Sequence, residues 1–349
     1  PEVAERILQA RTALRDRLTD SAVAQLVEPF DVEAYNANAS VAENILFGLP
    51  VGDAFDLDNL AQNAYIRSVL DKMNLSDDFL EMGKQVAQTM LELFADLPPG
   101  HEFFEQFSFI QSDDLPEFQS ILGRAARGTE GLTEDDRLRL ISLPFKLIRA
   151  RHRLDLIDDQ MMARILSARR AFAEGLPDEL RDKIAFFDAD TYNAAASLQD
   201  NILFGKLAYG QAQAESKVGA LIGDVVDTLE LREAVVAAGL EYQAGIGGAR
   251  LSQSQRQKLS IARCLVRQPD ILILDEASAN LDAISQNAVL ENVLGARREQ
   301  GIIWILNRVS DAEHFAKIIV LKSGRVVETG MFEELSTAQG EFQTLLDAG

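Results

Sequence analysis

Residues 30–48 read FDVEAYNANASVAENILFG, and residues 187–205 read FDADTYNAAASLQDNILFG. Twelve of the nineteen positions are identical at an offset of 157, with Tyr-Asn and Asn-Ile-Leu-Phe-Gly at the same spacing in both copies. Chance is a poor explanation for that. Two copies at so long a period exclude a solenoid, whose units recur every 20–50 residues or so, so the repeat reads as a segment duplicated within one architecture. Whatever the chain folds into must house both copies.

Between the copies the pattern is helical. Val69-Leu70-Met73 and Val86-Met90-Leu93 recur at spacings of three and four. Thr133, followed by Glu134, Asp135 and Asp136, predicts a helix N-terminus with acids against the positive end of the dipole. An apolar stripe then runs through Leu138, Ile141, Phe145, Ile148, Leu154, Ile157, Met161 and Ile165, with Pro144 placed to kink or split it. Lys146, Arg149, Arg151 and Arg153 read as a solvated helix face.

After about residue 181 the texture changes. Ile184–Phe187, Ile271–Leu274, Ile302–Leu306 and Ile318–Leu321 are short apolar runs suited to buried parallel strands. Ser323-Gly324 has the form of a two-residue hairpin turn. With 34 Lys+Arg against 55 Asp+Glu, the net charge of −21 argues against a protein that coats phosphate backbones, so no nucleic-acid partner is expected. One cysteine, Cys264, excludes a disulfide framework, and three scattered histidines make a His-rich metal site improbable. No apolar run reaches the ~20 residues of a membrane helix, and the sequence opens on Pro1 with no signal peptide, so the chain reads as soluble and as a piece of something longer.

The chemistry concentrates at 247–330. Ile271-Leu272-Ile273-Leu274-Asp275-Glu276 is an apolar strand ending in two acids, where open α/β sheets bind ligands. One carboxylate there can hold Mg²⁺ while its neighbour faces a nucleophilic water. Ahead of it, Leu251-Ser252-Gln253-Ser254-Gln255 opens a helix that Ser252 can cap, and exposed helix amides suit a phosphate. Beyond it come Ala277-Ser278-Ala279-Asn280-Leu281-Asp282, another helix, and a strand ending Leu306-Asn307-Arg308.

This order and spacing resemble the nucleotide-binding domain of ATP-binding cassette (ABC) transporters over about residues 181–349. The resemblance implies that Leu251–Gln255 corresponds to the signature loop, whose Ser252, Gln253, Ser254 and Gln255 would contact the γ-phosphate of ATP held by an opposite subunit. It likewise makes Asp275 the Walker B aspartate near Mg²⁺, Glu276 the general base, and Asp282 the aspartate that crosses the dimer interface. Asn307 falls at the switch-histidine position. Asn201-Ile202-Leu203-Phe204-Gly205 and Gly245–Arg250 are similar to the exporter subtype. ATP and Mg²⁺ are the implied cofactors. The implied partners are a second nucleotide-binding domain, as homodimer or heterodimer, and a transmembrane domain upstream in the same polypeptide. The implied location is the cytoplasmic face of a membrane.

The sequence also departs from the family. It has no G-x-x-x-x-G-K-[ST] phosphate loop: its Gly-Lys pairs, Gly83-Lys84 and Gly205-Lys206, lack the upstream glycine and the following Ser or Thr. Gln253 and Ser254 replace the two signature glycines, Asn307 replaces the histidine, and Asp188–Asp190 stand where a glutamine loop belongs. The expected fold is therefore α/β, a partial P-loop NTPase-like core with a large all-α insertion. Residues 1–55 would hold the first copy, 56–180 the helical insertion, and 181–349 the C-terminal part of the ATPase. The expected function is ATP binding and hydrolysis coupled to export, in a fragment or degenerate copy. The alternative is a catalytically inactive module of the same fold that acts in interaction or regulation.

Overall fold

A computed structural model describes residues 2–19, 23–94, 108–128, 131–281, 283–297 and 300–348. The chain divides into two compact units, Pro1–Leu240 and Glu241–Gly349.

In the first unit the elements run α1 (Glu2–Arg17), β1 (Val27–Pro29), α2 (Val41–Leu46), β2 (Gly48–Pro50), α3 (Ala64–Lys72), α4 (Ser76–Phe94), α5 (Leu115–Ala125), α6 (Glu134–Phe145), α7 (Arg149–His152), α8 (Asp159–Gly175), β3 (Ile184–Phe186), α9 (Leu198–Leu203), β4 (Gly205–Leu207), α10 (Ala214–Thr228) and α11 (Arg232–Leu240). The two repeat copies pair crosswise. β1 of the first copy is antiparallel to β4 of the second, with Glu28 opposite Lys206, and β2 of the first is antiparallel to β3 of the second, with Leu49 opposite Ala185. Phe30 and Phe187, equivalent positions, stack face to face with centroids 4.1 Å apart. The Phe30 amide donates to the Phe204 carbonyl at 3.0 Å and the Phe187 amide to the Phe47 carbonyl at 2.9 Å. These reciprocal contacts define a pseudo-two-fold axis between the two phenylalanines. The second copy, grouped by sequence with the C-terminal α/β part, thus packs on the first.

The Asn-Ile-Leu-Phe-Gly string has a physical reading at each position. Asn44 and Asn201 are buried and bridge their own loops: each side-chain carbonyl accepts from the amide of Asn36 (2.9 Å) or Asn193 (2.8 Å), and each amide returns a bond to that residue's carbonyl. Ile45, Leu46, Ile202 and Leu203 are core. Phe47 and Phe204 end their helices in the left-handed region, both at φ 44°. The following glycines lie against the opposing strand, where a Cβ at Gly48 would sit 2.7 Å from the Ala185 carbonyl oxygen and one at Gly205 2.6 Å from that of Glu28.

The duplication extends beyond the nineteen residues. Asn74 and Glu230 share φ 52°, and the Leu75→Leu70 and Leu231→Val226 backbone bonds are both 2.8 Å. Two cores result, one around Phe55, Phe79, Phe145 and Phe172, the other around Ile7, Leu14, Ile202, Val225 and Leu231. Thr133 caps α6 in a reciprocal box with Asp136, as its sequence predicts. The long stripe is broken, however: Pro144 lies in the last turn of α6, and Ile148, Leu154 and Ile157 fall between α6 and α8 rather than on one continuous helix.

The second unit holds α12 (Gln253–Val266), β5 (Ile271–Asp275), α13 (Ala283–Ala296), β6 (Gly301–Ile305), β7 (Ile318–Lys322), β8 (Arg325–Gly330), α14 (Phe332–Thr337) and α15 (Glu341–Ala348). Only β5 and β6 pair in parallel. Ile184–Phe186 and Ile318–Lys322, expected in a parallel sheet, are antiparallel instead, because each finds a partner by hairpin or crosswise exchange. The turn at Ser323-Gly324 forms as its residues require, with φ 50° and 75°. Ile261, Leu272, Leu274 and Val293 make the core on one face of β5–β6. The other face leaves Ile271, Ile273, Ile303 and Ile305 at 61, 64, 54 and 50% exposure. Parallel sheets are normally covered on both faces; this one is covered on one.

Candidate functional site

The acids sit where the strand pattern puts them. Asp275 is the last residue of β5, paired with Ile305 of β6, and is exposed. Glu276 follows in the left-handed region at φ 45°, held by its amide donating to the Ile305 carbonyl at 3.2 Å. A non-glycine residue there is held against local preference, and the turn directs the chain away from the sheet directly after the strand. Asn307 is two residues beyond the end of β6, exposed, so the parallel register brings Asp275, Glu276 and Asn307 to one edge of the pair. The neighbouring Arg308 is anchored to Asp311 at 2.6 Å and to Asn287 at 2.9 Å, which fixes the backbone beside Asn307.

α12 supplies the other wall. The Ser252 hydroxyl accepts from the Gln255 amide at 3.1 Å, and the Gln255 side chain accepts from the Ser252 amide at 2.9 Å, a capping box. Ser252 and Gln255 are thereby occupied in capping. The amides of Gln253 and Ser254, in the first turn, are the donors a helix leaves for an anion. Gln257, one turn on, spans the acidic loop: its side-chain amide donates to the Glu276 carbonyl at 3.1 Å and its carbonyl accepts from the Asn280 amide at 3.0 Å. Gln253, Gln257, Asp275 and Asn280 line a pocket of about 440 Å³. Asp282 lies outside the described residues.

The donor set suits a metal that is completed by phosphate oxygens. Among the described residues no three His, Cys, Asp or Glu side chains converge, and Mg²⁺ characteristically takes one or two carboxylates plus substrate phosphates and water. The glycine-rich turn at 245–250 is no phosphate cradle: its amides at Gly248, Ala249 and Arg250 bond to the carbonyls of Gly245, Ile246 and Ala244.

In the first unit, sequence reasoning missed Arg11 and Arg169. The Arg11 Nε donates to the Asn201 carbonyl at 2.7 Å, and its Nη1 to the carbonyls of Asp188, Ala189 and Thr191 at 2.9, 2.6 and 3.2 Å. Arg169 repeats this on the other copy, Nε to Asn44 at 2.7 Å and Nη1 to Asp31, Val32 and Ala34 at 3.0, 2.8 and 3.0 Å. Each guanidinium lies 4.4 Å from a phenylalanine centroid, Phe204 or Phe47. Burial pulls the Arg169 pKa down to about 10 and lowers that of Arg11. The signal was present as Arg6-Ile-Leu-Gln-Ala-Arg11 and Arg164-Ile-Leu-Ser-Ala-Arg169, but at an offset of 158, one residue out of step with the longer repeat.

Comparison with known proteins reaches the signature helix and the two acids and stops short of Asn307 in the family match. Residues 164–279 match the ABC transporter family. The chain is 34% identical over 164 residues to the Heterocyst differentiation ATP-binding protein HepA of Nostoc sp., covering 47% of this chain and 26% of that protein. It is 36% identical over 168 residues to the Beta-(1-->2)glucan export ATP-binding/permease protein NdvA of Rhodopseudomonas palustris, covering 47% and 26%. To the ATP-dependent lipid A-core flippase of Desulfotalea psychrophila it is 33% identical over 168 residues, covering 48% and 28%. The matches thus span about a quarter of each relative's length. Over residues 164–279 the chain is similar to the ATP-binding part of ABC transporters.

Proposed function

We propose that this chain supplies the catalytic carboxylates and the signature helix of an ATP-hydrolysing exporter. The observation that carries the reading is the single edge that gathers Asp275, Glu276 and Asn307 beside the capped N-terminus of α12. Mg²⁺ bound with ATP would offset the charge that develops on the phosphates during transfer. Asp275 is the residue to hold it. Glu276 orients the attacking water and takes its proton, and Asn307 donates a hydrogen bond without taking up a proton near neutral pH. The amides of Gln253 and Ser254, with Ser252 and Gln255 fixing the turn, face the γ-phosphate of a nucleotide held by a second nucleotide-binding domain.

The phosphate cradle is absent from the sequence, so the complete site needs one from elsewhere in the assembly. The bare isoleucine face of β5–β6 supports this: it is the side on which a further strand and helix of the ATPase core would pack. In this reading the helical segment within 56–180 is an insertion, a transmembrane domain in the same polypeptide is the transport partner, and the chain works at the cytoplasmic face. No helix among the described residues is long and apolar enough to cross a membrane.

The test is Glu276→Gln in the reconstituted exporter. ATP turnover should fall by about 100-fold or more while ATP binding persists. Turnover equal to the wild type would remove Glu276 from the mechanism, and an ATP-independent wild type would overturn the hydrolytic reading altogether.

A further inference from the structure

The two repeat copies are related residue by residue, yet they are not equally covered. In the first copy a strap made of Leu147, Ile148 and the four-residue α7 crosses the start of α2. The Val41 amide donates to the Leu147 carbonyl at 2.9 Å, the Ala150 amide donates to the Ala37 carbonyl at 3.0 Å, and Ser40 forms an isolated antiparallel bridge with Ile148. Under the strap Ala39, Val41 and Ala42 are buried.

The second copy presents the same groups with nothing on them. Leu198 stands for Val41, Ala194 for Ala37 and Ser197 for Ser40. Among the described residues neither the Leu198 amide nor the Ala194 carbonyl has a hydrogen-bond partner. Ala194, Ala195, Ser197 and Gln199 are exposed, and Leu198 is half-buried where Val41 is fully covered. The backbone is already in the docked shape, since Ser40 and Ser197 have φ/ψ of −66°/162° and −63°/162°.

Charge narrows the occupant. The strap carries Arg149, Arg151, His152 and Arg153 directly after its aliphatic pair. The open loop of the second copy, residues 188–200, carries Asp188, Asp190 and Asp200 and no Lys or Arg. Tyr192 occupies the position of Tyr35, the residue that Arg149 faces in the covered copy.

We propose that residues 194–200 are a docking edge for a partner protein segment with the strap's chemistry: two aliphatic residues in extended backbone, followed at once by one basic helical turn. The segment's carbonyl accepts from Leu198, an amide three residues on donates to Ala194, and its arginines lie along the aspartates. The inference rests on the internal repeat and does not depend on nucleotide.

The probe is a labelled peptide of residues 145–153, titrated into the full chain without nucleotide and followed by fluorescence anisotropy. Saturable one-to-one binding is expected. Leu198→Pro should weaken it about tenfold, because it deletes the docking N–H at a first helical position, where proline fits. Gln199→Lys, an exposed change on the same edge, should weaken it as well and covers the case in which the proline variant fails to fold. A peptide with Arg149, Arg151 and Arg153 changed to glutamate should not bind. Absence of saturation, wild-type affinity in folded Leu198→Pro or in Gln199→Lys, or loss of binding in Val41→Pro alone (the peptide then entering the covered copy) would each overturn the proposal.

Discussion

At the residue scale the strap depends on His152. The Ile148 amide donates to His152 Nδ1 at 2.8 Å, so the ring must be neutral, with its proton on Nε2. Phe109 packs edge-on against the ring at 4.4 Å. Burial, helped by the Arg151 charge, lowers the His152 pKa to about 4 from an ordinary 6.5. The unfolded chain therefore binds the proton more readily than the folded one, and stability rises with pH across that window. The contribution is complete above about pH 6.5 and is lost as pH falls towards 4. Urea midpoints between pH 7 and pH 4.5 should show this drop, and His152→Gln should flatten that part of the curve. A pH dependence unchanged by the substitution would place its origin elsewhere. None of this was legible in the sequence, where His152 was one of three scattered histidines and its neighbours read as a solvated face.

At the element scale one repeat position has opposite consequences in the two copies. Gly83 in α4 and Gly239 in α11 are equivalent, but α4 crosses α6 so closely that a Cβ at Gly83 would collide with the Leu140 carbonyl, while one at Gly239 meets nothing within 4 Å. An alanine gains up to about 1 kcal/mol of helix propensity over glycine. At Gly83 backbone overlap outweighs that gain, and Gly83→Ala should destabilise by about 2 kcal/mol. Gly239→Ala, near a helix end, should be neutral or stabilising by about 0.5 kcal/mol. Equilibrium urea unfolding of the two variants reads the signs, and equal signs would contradict the crossing. The caps were legible: Thr133 and Ser252 each precede a residue at the third helical position that closes the box. The crossing was not, because it joins residues far apart in sequence.

At the scale of the whole molecule, each copy of the repeat is completed by a helix that precedes the other. α1, ahead of the first copy, clamps the second through Arg11, and α8, ahead of the second, clamps the first through Arg169. Arg11→Met should therefore raise amide hydrogen exchange across residues 188–204 and leave residues 31–47 protected, while Arg169→Met should do the reverse. Each loss strands one buried carbonyl, that of Asn201 or of Asn44, at about 1–3 kcal/mol when unsatisfied, and releases three part-buried ones to water. Exchange rising within the mutated residue's own copy instead would refute the crosswise arrangement.

The sequence by itself determined the duplication, the helix caps, the hairpin turn and the acidic strand end, because each is set by residues within a turn or two of one another. It also carried the ordered series from Ser252 through Asp275 and Glu276 to Asn307 that resembles an ABC ATPase. Only the tertiary structure decided that the copies pair crosswise, that Ile184–Phe186 leaves the parallel sheet for β2, and that one copy is strapped and the other open. Those outcomes depend on which surfaces meet across more than a hundred residues of chain. Local spacing sets what a segment can bury and does not name what will cover it.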